Sequence, residues 1–188
     1  EASSKLNFTS KKTMMLAQKL YEGITLKDET VGLITYMRTD SIRLSDEFVK
    51  STYGFIRDNY GDDYVGYVKT SKKKDNVQDA HEAIRPTSIN RRPDDVREFL
   101  TSDEFKLYKL IYNRALASLM KDAVMEVTSI ILNNNDYKFK VTGSIVKFDG
   151  YLKVYDDNED DGELLPDFGK YNGSVVSEEI NYSAHTTK

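Results

Sequence analysis

The amino-acid sequence predicts an α+β chain in two parts, helical to about Lys121 and antiparallel β beyond it, on three observations. Apolar residues recur at helical spacing in segments that carry recognisable caps, and after Met120 the texture changes to strand-like alternation. The charge balance changes sign at the same place. Residues 1–121 carry 21 Lys+Arg against 18 Asp+Glu, or +3, whereas residues 122–188 carry 6 against 13, or −7.

The opening segment TSKKTMMLAQKLYEG has a hydroxyl cap at Ser10, good helix formers through Leu20 and a glycine stop at Gly23, so a helix is expected from about Lys11 to Glu22. A polar turn follows. VGLITYM, Val31 to Met37, has the β-branched and aromatic content of a short buried strand. The next helix is expected to begin at Ser45, with Asp46 and Glu47 in its first turn, Phe48, Val49, Phe55 and Ile56 on one face, and Gly61 at its end. Residues 61–80 are polar, contain KTSKKKD and show no hydrophobic period, which reads as a long loop. AHEAIRPT emerges from it, with Pro86 biasing Arg85 toward extended backbone. Thr101 and Glu104 make a capping box ahead of a helix carrying Phe105, Tyr108, Ile111, Tyr112, Ala115 and Leu119. VMEVTSIIL, the turn NNND, YKFKVTGSIVKF and GYLKVY then read as consecutive antiparallel strands. The acidic DDNEDDGE and Pro166 interrupt them, and GSVVSEEI offers one more strand.

A chain of 188 residues can bury a substantial core. With no cysteine it forms no disulfide and no thiolate metal site. No apolar run approaches the ~20 residues of a membrane span and no signal peptide precedes the first helix, so a soluble, intracellular protein without a membrane partner is expected. The chain opens on Glu1 and stops at Lys188 without a closing element, and it reads as a fragment. The positive first part is compatible with a polyanion; the acidic second part would repel one.

The chemistry concentrates in LITYMRTDSIRLSDEF. A phenol with a reference pKa near ~10 is a poor nucleophile at neutral pH unless positive charge stabilises the phenolate. Arg38, two residues from Tyr36, can supply that charge, and on a strand both side chains would share one face. Its planar fork binds two phosphate oxygens at once. Thr39, Asp40 and Ser41 add hydroxyls and a carboxylate that could position a nucleic-acid backbone. The plain alternative is a half-buried phenol beside a surface charge, and with 13 tyrosines in the chain the pattern alone does not decide. HEAIR has Arg85 where a zinc helix would need a second histidine, so zinc is not expected. His81 is either a solvent-exposed or capping residue, or a phosphate contact and proton donor beside Tyr36. In the second case Glu82 orients or compensates it and Arg85 adds positive charge. SKKK, Ser71 to Lys74, is either merely solvated or attracts phosphate without specificity, and the acidic run lacks the spacing and glycine of a calcium loop.

Taken in order, KKTMMLAQKLYEG, GLITYMRTDS and AHEAIRPT resemble bacterial type IA DNA topoisomerases, with TYMRTDS similar to the topoisomerase I branch. The resemblance is strongest from Lys11 to Thr87 and weaker after Met120. It implies that Tyr36 cleaves one DNA strand through a 5′-phosphotyrosyl link, that Arg38 contacts the scissile phosphate and that His81 sits beside it, with Thr39, Asp40, Ser41 and Arg85 also on the DNA. Strand passage and religation would then relax negative supercoils without ATP. It further implies a helical, winged-helix-like (CAP-like) domain over residues 1–121 that bears the tyrosine, and part of a β-rich arch over 122–188. Partners would be single-stranded DNA and the remaining domains of the parent: Toprim, gate and the first half of the arch. Mg2+ would be bound by the Toprim domain and none by this fragment, which is expected to fold but neither to cleave nor to relax DNA by itself. The location implied is the bacterial cytoplasm, at the nucleoid. Strand edges left uncovered in a cut arch would permit self-association. The rival reading is a noncatalytic winged-helix DNA-binding module with SDEFVKSTYGFIRDNY in the groove, which the acidic first turn of that helix disfavours.

Overall fold

Thr9 rather than Ser10 caps the first long helix. The Thr9 hydroxyl accepts a hydrogen bond from the Lys12 amide at 3.2 Å, because it is the residue three positions before an exposed amide that keeps extended backbone. In this computed structural model, residues 1–68 and 81–155 are described. A short helix α1, Ala2–Leu6, precedes α2, Ser10–Glu22, which ends at Gly23 as its glycine stop requires. The expected polar turn is a small antiparallel hairpin, β1 (Ile24–Leu26) with β2 (Glu29–Val31), in which Thr25 faces Thr30 and their hydroxyls lie 3.1 Å apart.

Beyond Val31, which closes β2, VGLITYM enters the core but is not a strand. Leu33, Ile34 and Met37 enter the core, yet the ladder is a single bridge from Ile34 to Pro86, flanked by the Thr35 amide donating to the Arg85 carbonyl and the Thr87 amide to the Leu33 carbonyl, both at 3.0 Å. Pro86 occupies the non-hydrogen-bonded position of this pair, where its missing amide costs the bridge nothing. The segment enters the core at Gly32, where a Cβ would stand 2.6 Å from the Tyr21 carbonyl oxygen, and its Leu33 amide donates to Leu20 at 2.7 Å.

Helix α3, Asp46–Tyr60, begins behind Ser45 and ends at Gly61, both as the sequence predicts, and buries Phe48, Thr52, Phe55 and Ile56. The expected loop after it includes a 3-10 turn, Asp62–Tyr64, and a bridge from Val65 to Met120; its remainder, 69–80, lies outside the described residues. A six-residue 3-10 segment, Asp94–Phe99, leads into α4, Ser102–Ala117, which carries the complete capping box of Thr101 and Glu104. Helix α4 is the central element of the core. Its Leu107, Tyr108, Tyr112 and Leu116 pack with Leu16, Leu20, Leu33, Ile34, Ile56 and Ile89. The Tyr108 and Tyr112 hydroxyls donate to the carbonyls of Arg91 and Ile89 at 2.7 and 2.6 Å, which ties the segment after Pro86 to the helix. Burial raises the pKa of both phenols, so they remain neutral donors.

β3, Val124–Asn134, and β4, Tyr137–Phe148, form a hairpin closed by a two-residue turn with Asn135 in the left-handed region, at φ 53°. The chain divides into two units: the first holds Glu1–Glu126 and resumes at Val146, and Val127–Ile145 belongs to the second. Within the second unit the Ser129 and Thr142 hydroxyls pair across the strands at 3.2 Å, while Val127, Ile131, Tyr137 and Phe139 are each more than half exposed. GYLKVY, expected as a strand, is instead a 3-10 turn over Gly150–Lys153. Tyr151, Val154 and Tyr155 lie three and four apart, a helical spacing, and all three turn inward. The Tyr155 ring lies beneath Lys5 at 4.3 Å and Arg114 at 5.1 Å. The acidic run and GSVVSEEI lie outside the described residues. The fold is α+β, mixing helices with small antiparallel sheets.

The close approach at Gly32 is directly testable. Gly32→Ala drives a methyl into the Tyr21 carbonyl and is expected to cost about 1–3 kcal/mol. Gly54→Ala, inside α3 with nothing within 4 Å of the new methyl, is expected to stabilise by about 0.5–1 kcal/mol. Thermal melts followed by circular dichroism should separate the two variants to opposite sides of the parent chain.

Candidate active site

Tyr36 lies between the buried Ile34 and Met37, so the core fixes its backbone while its ring stays half-buried at the edge. Two aromatic side chains bracket that ring. Tyr21, in the last turn of α2, meets it edge-on with centroids 5.4 Å apart and planes at 68°, and the His81 imidazole lies 5.0 Å away at 39°. Tyr36, Tyr21, His81, Thr35, Glu82 and Thr87 line an open cleft of about 420 Å³. The Tyr36 hydroxyl hydrogen-bonds to no other group among the described residues. A larger depression of about 520 Å³, lined by Ser51, Phe55, Asp58, Asn59 and Arg92, lies elsewhere on α3, where Arg92 stacks on Phe55 and donates to Asn59 at 2.6 Å. It contains none of the residues that bracket Tyr36.

His81 reaches Tyr36 because its own segment is pinned. The Thr35 hydroxyl donates to the Ala83 carbonyl at 2.8 Å and accepts from the Arg85 amide at 3.0 Å. The Thr87 hydroxyl donates to the Gly32 carbonyl at 2.7 Å, and the Ala83 amide donates to Arg43 at 2.8 Å. Residues 81–87 are thus held against residues 32–36 from both ends.

Arg85 is almost fully buried, at 9% exposure, and each of its side-chain nitrogens donates inside the protein. Nε donates to Glu82 at 2.8 Å, one terminal nitrogen to the Pro86 carbonyl at 2.9 Å and the other to the Ser45 hydroxyl at 3.2 Å, and the guanidinium lies 4.5 Å over the Phe48 ring. Glu82 also accepts from the Ser45 amide at 3.3 Å. The same serine hydroxyl caps α3 by accepting from the Phe48 amide.

Arg38 is exposed, outside the cleft lining, and held by no ion pair among the described residues. With VGLITYM not a strand, the shared face expected for Tyr36 and Arg38 has no ladder behind it. The segment after Arg38 is a run of hydroxyl turns: the Thr39 hydroxyl accepts from the Ser41 amide at 3.0 Å, and the Ser41 hydroxyl from the Arg43 amide at 3.2 Å. Among the described residues neither hydroxyl donates its own proton. Asp40 between them is exposed. Tyr21 was not legible as a site residue, since a tyrosine near the end of an amphipathic helix carries no signal of its own. Among the described residues no three His, Asp or Glu side chains converge to hold a metal ion. No helix among them is long and apolar enough to cross a membrane.

A family model described as DNA topoisomerase matches the chain over residues 1–188. The structure is similar to that of full-length topoisomerase I from Thermotoga maritima, with 43% sequence identity and a TM-score of 0.75, over 87% of this chain and 26% of that one. The chain therefore spans about a quarter of that relative.

Burial would raise the Glu82 carboxyl, but the hydrogen bond and charge of Arg85, the Ser45 amide and the charge of Arg43 outweigh it and hold the group below the ordinary carboxylate range. A carboxyl depressed on folding contributes stability that is complete above its unfolded value of ~4.3 and is lost as the pH falls through the lower folded value. Glu82→Gln is expected to destabilise the protein by about 1–3 kcal/mol near neutral pH. The gap from the parent chain should close as the pH falls below ~4, which thermal melts at a series of pH values would measure. A gap independent of pH would show that the carboxylate charge does not hold this network.

Proposed function

The chain belongs to the bacterial type IA DNA topoisomerase family, and on that footing we propose that it is the portion of the enzyme bearing the nucleophile, with Tyr36 in that role. The Tyr36 oxygen attacks a backbone phosphorus as its proton departs. A new phosphorus–oxygen bond forms to the 5′ side, the bond to the 3′ oxygen breaks, and that oxygen leaves as a hydroxyl after taking up a proton. The phosphodiester energy stays in the tyrosyl ester, so the 3′-hydroxyl reverses the step without ATP after the other strand has passed. In the full-length enzyme this sequence relaxes negative supercoils.

Arg38 takes the non-bridging phosphate oxygens, and its exposure, with no ion pair among the described residues, supports that role. His81, on the Tyr36 ring, stands where it can stabilise or protonate the reacting phosphate. Thr39, Asp40 and Ser41 line the approach and position the single-stranded DNA. When bound by the Toprim domain of the parent, Mg2+ neutralises phosphate charge near the break. Residues 1–121 make up the tyrosine domain, winged-helix-like in arrangement, and 122–188 a returning part of the arch. By itself this chain, about a quarter of its relative in span, neither cleaves nor relaxes DNA, since the rest of the electrostatic machinery is elsewhere.

The observation that carries this reading is the Tyr36 ring held at 5.0 Å from His81 over an open cleft, with its hydroxyl uncommitted. The noncatalytic rival needs the start of α3 in a DNA groove, yet that turn is acidic and its cap is tied to Glu82 and Arg85. In the full-length protein, single-stranded DNA followed by denaturation should yield a covalent adduct that Tyr36→Phe abolishes. The same substitution in this chain should shift stability by no more than about 0.5 kcal/mol, because the hydroxyl has no partner to lose. Unchanged binding with no adduct in either protein would favour the binding module.

A further inference from the structure

The sequence pattern groups Arg85 with the DNA-contacting residues. Its surroundings do not leave it free for that. A buried guanidinium whose nitrogens all have protein acceptors would have to break several charge-assisted hydrogen bonds and leave the half-buried Glu82 without its partner before it could reach a phosphate. Arg38 meets no such obstacle.

We infer that Arg85 is a positioning residue for the cleavage reaction and not a phosphate ligand: with Thr35, it holds the His81 segment at the Tyr36 ring. The inference rests on the reading of Tyr36 as the nucleophile. Its mechanism is geometric. Arg85 binds Glu82, one residue from His81, and Ser45, which starts α3, so the segment that carries His81, the helix and the tyrosine segment share one set of hydrogen bonds. Thr35, one residue before Tyr36, closes the set by bonding to Ala83 and to the Arg85 amide. Neither residue touches the reacting phosphorus. Loss of either lets the imidazole move relative to the phenol, and a displacement of ~1 Å is enough to cost about 100-fold in rate.

The full-length enzyme provides the test, with Arg85→Gln, Thr35→Val, Thr35→Ser and Arg38→Gln. Affinity for a single-stranded oligonucleotide is measured against salt, with Tyr36→Phe added so that no covalent step intervenes. Removing one phosphate contact should flatten the slope of log affinity against log salt by about 0.7. Arg38→Gln is expected to flatten it, and Arg85→Gln to leave it unchanged. At saturating DNA, below the melting temperature of each variant, the rate of adduct formation is expected to fall at least tenfold in Arg85→Gln and in Thr35→Val, and to recover in Thr35→Ser, which restores the hydroxyl. A merely structural role would lower the melting temperature without moving that rate. A flattened slope in Arg85→Gln, or an undiminished rate in Thr35→Val, overturns the inference; if Arg85→Gln does not fold, the Thr35 pair decides by the rate alone. Failure of the parent enzyme to form any adduct would instead refute the nucleophile assignment, which keeps the two outcomes apart.

Discussion

The buried, irregular segment from Leu33 to Met37 must satisfy its backbone polar groups without a strand beside it. An unpaired amide or carbonyl in a core carries a penalty of about 1–3 kcal/mol, so such a segment requires partners close at hand. Residues 85–87 supply two of them, the Arg85 carbonyl accepting from the Thr35 amide and the Thr87 amide donating to the Leu33 carbonyl, while the Ala83 carbonyl takes the Thr35 hydroxyl and the Thr87 hydroxyl bonds Gly32 just before the segment. The site follows from that requirement. The segment recruited to satisfy the backbone next to Tyr36 is the one that begins with His81, so the pairing that makes burial tolerable also brings imidazole to phenol.

The rest of the first unit holds those two segments from behind. Gly32 permits the chain to pass the end of α2 closely enough for Leu33 to bond Leu20, and this leaves Tyr21 against the Tyr36 ring. Helix α4, fixed at its start by the capping box, fastens Ile89 and Arg91 through two buried phenols and so anchors the chain leaving Pro86. Ser45 does double service, capping α3 and receiving Arg85. Rigid support under the half-buried Tyr36 keeps its ring placed at the edge of the core.

Much of this was legible in the sequence where the signal is local. The Ser45 cap, the Gly23 and Gly61 stops and the Thr101 and Glu104 box each depend on residues within one turn, and each is present as read. The misreadings are those that depend on distant partners. Val31 to Met37 has strand composition, but opposite it only one bridge forms among the described residues, from Ile34 to Pro86. GYLKVY alternates only superficially; the spacing of Tyr151, Val154 and Tyr155 is helical, and a core on one side decided the matter. Two adjacent hydroxyls, Thr9 and Ser10, could each cap α2, and composition does not choose between them. At the site, Tyr36 and His81 were visible as residue types in a motif. The burial of Arg85 was not, because a charge count cannot reveal that a guanidinium is consumed within its own protein.

Chemically, the site offers a phenol with an uncommitted oxygen, an imidazole on its ring and an exposed guanidinium two residues on. That set suits transesterification at phosphorus, in which the nucleophile becomes the leaving group of the reverse step. The tyrosine content of the chain makes the identity of the nucleophile the sharpest question, since Tyr21 stands beside Tyr36. The most direct measurement is to trap the full-length enzyme on a single-stranded oligonucleotide, denature and digest it, and locate the attached nucleotide by mass spectrometry. A 5′-phosphoryl group on Tyr36, with a free 3′-hydroxyl on the released strand, is the result predicted. The same group on Tyr21 or any other residue would contradict the account.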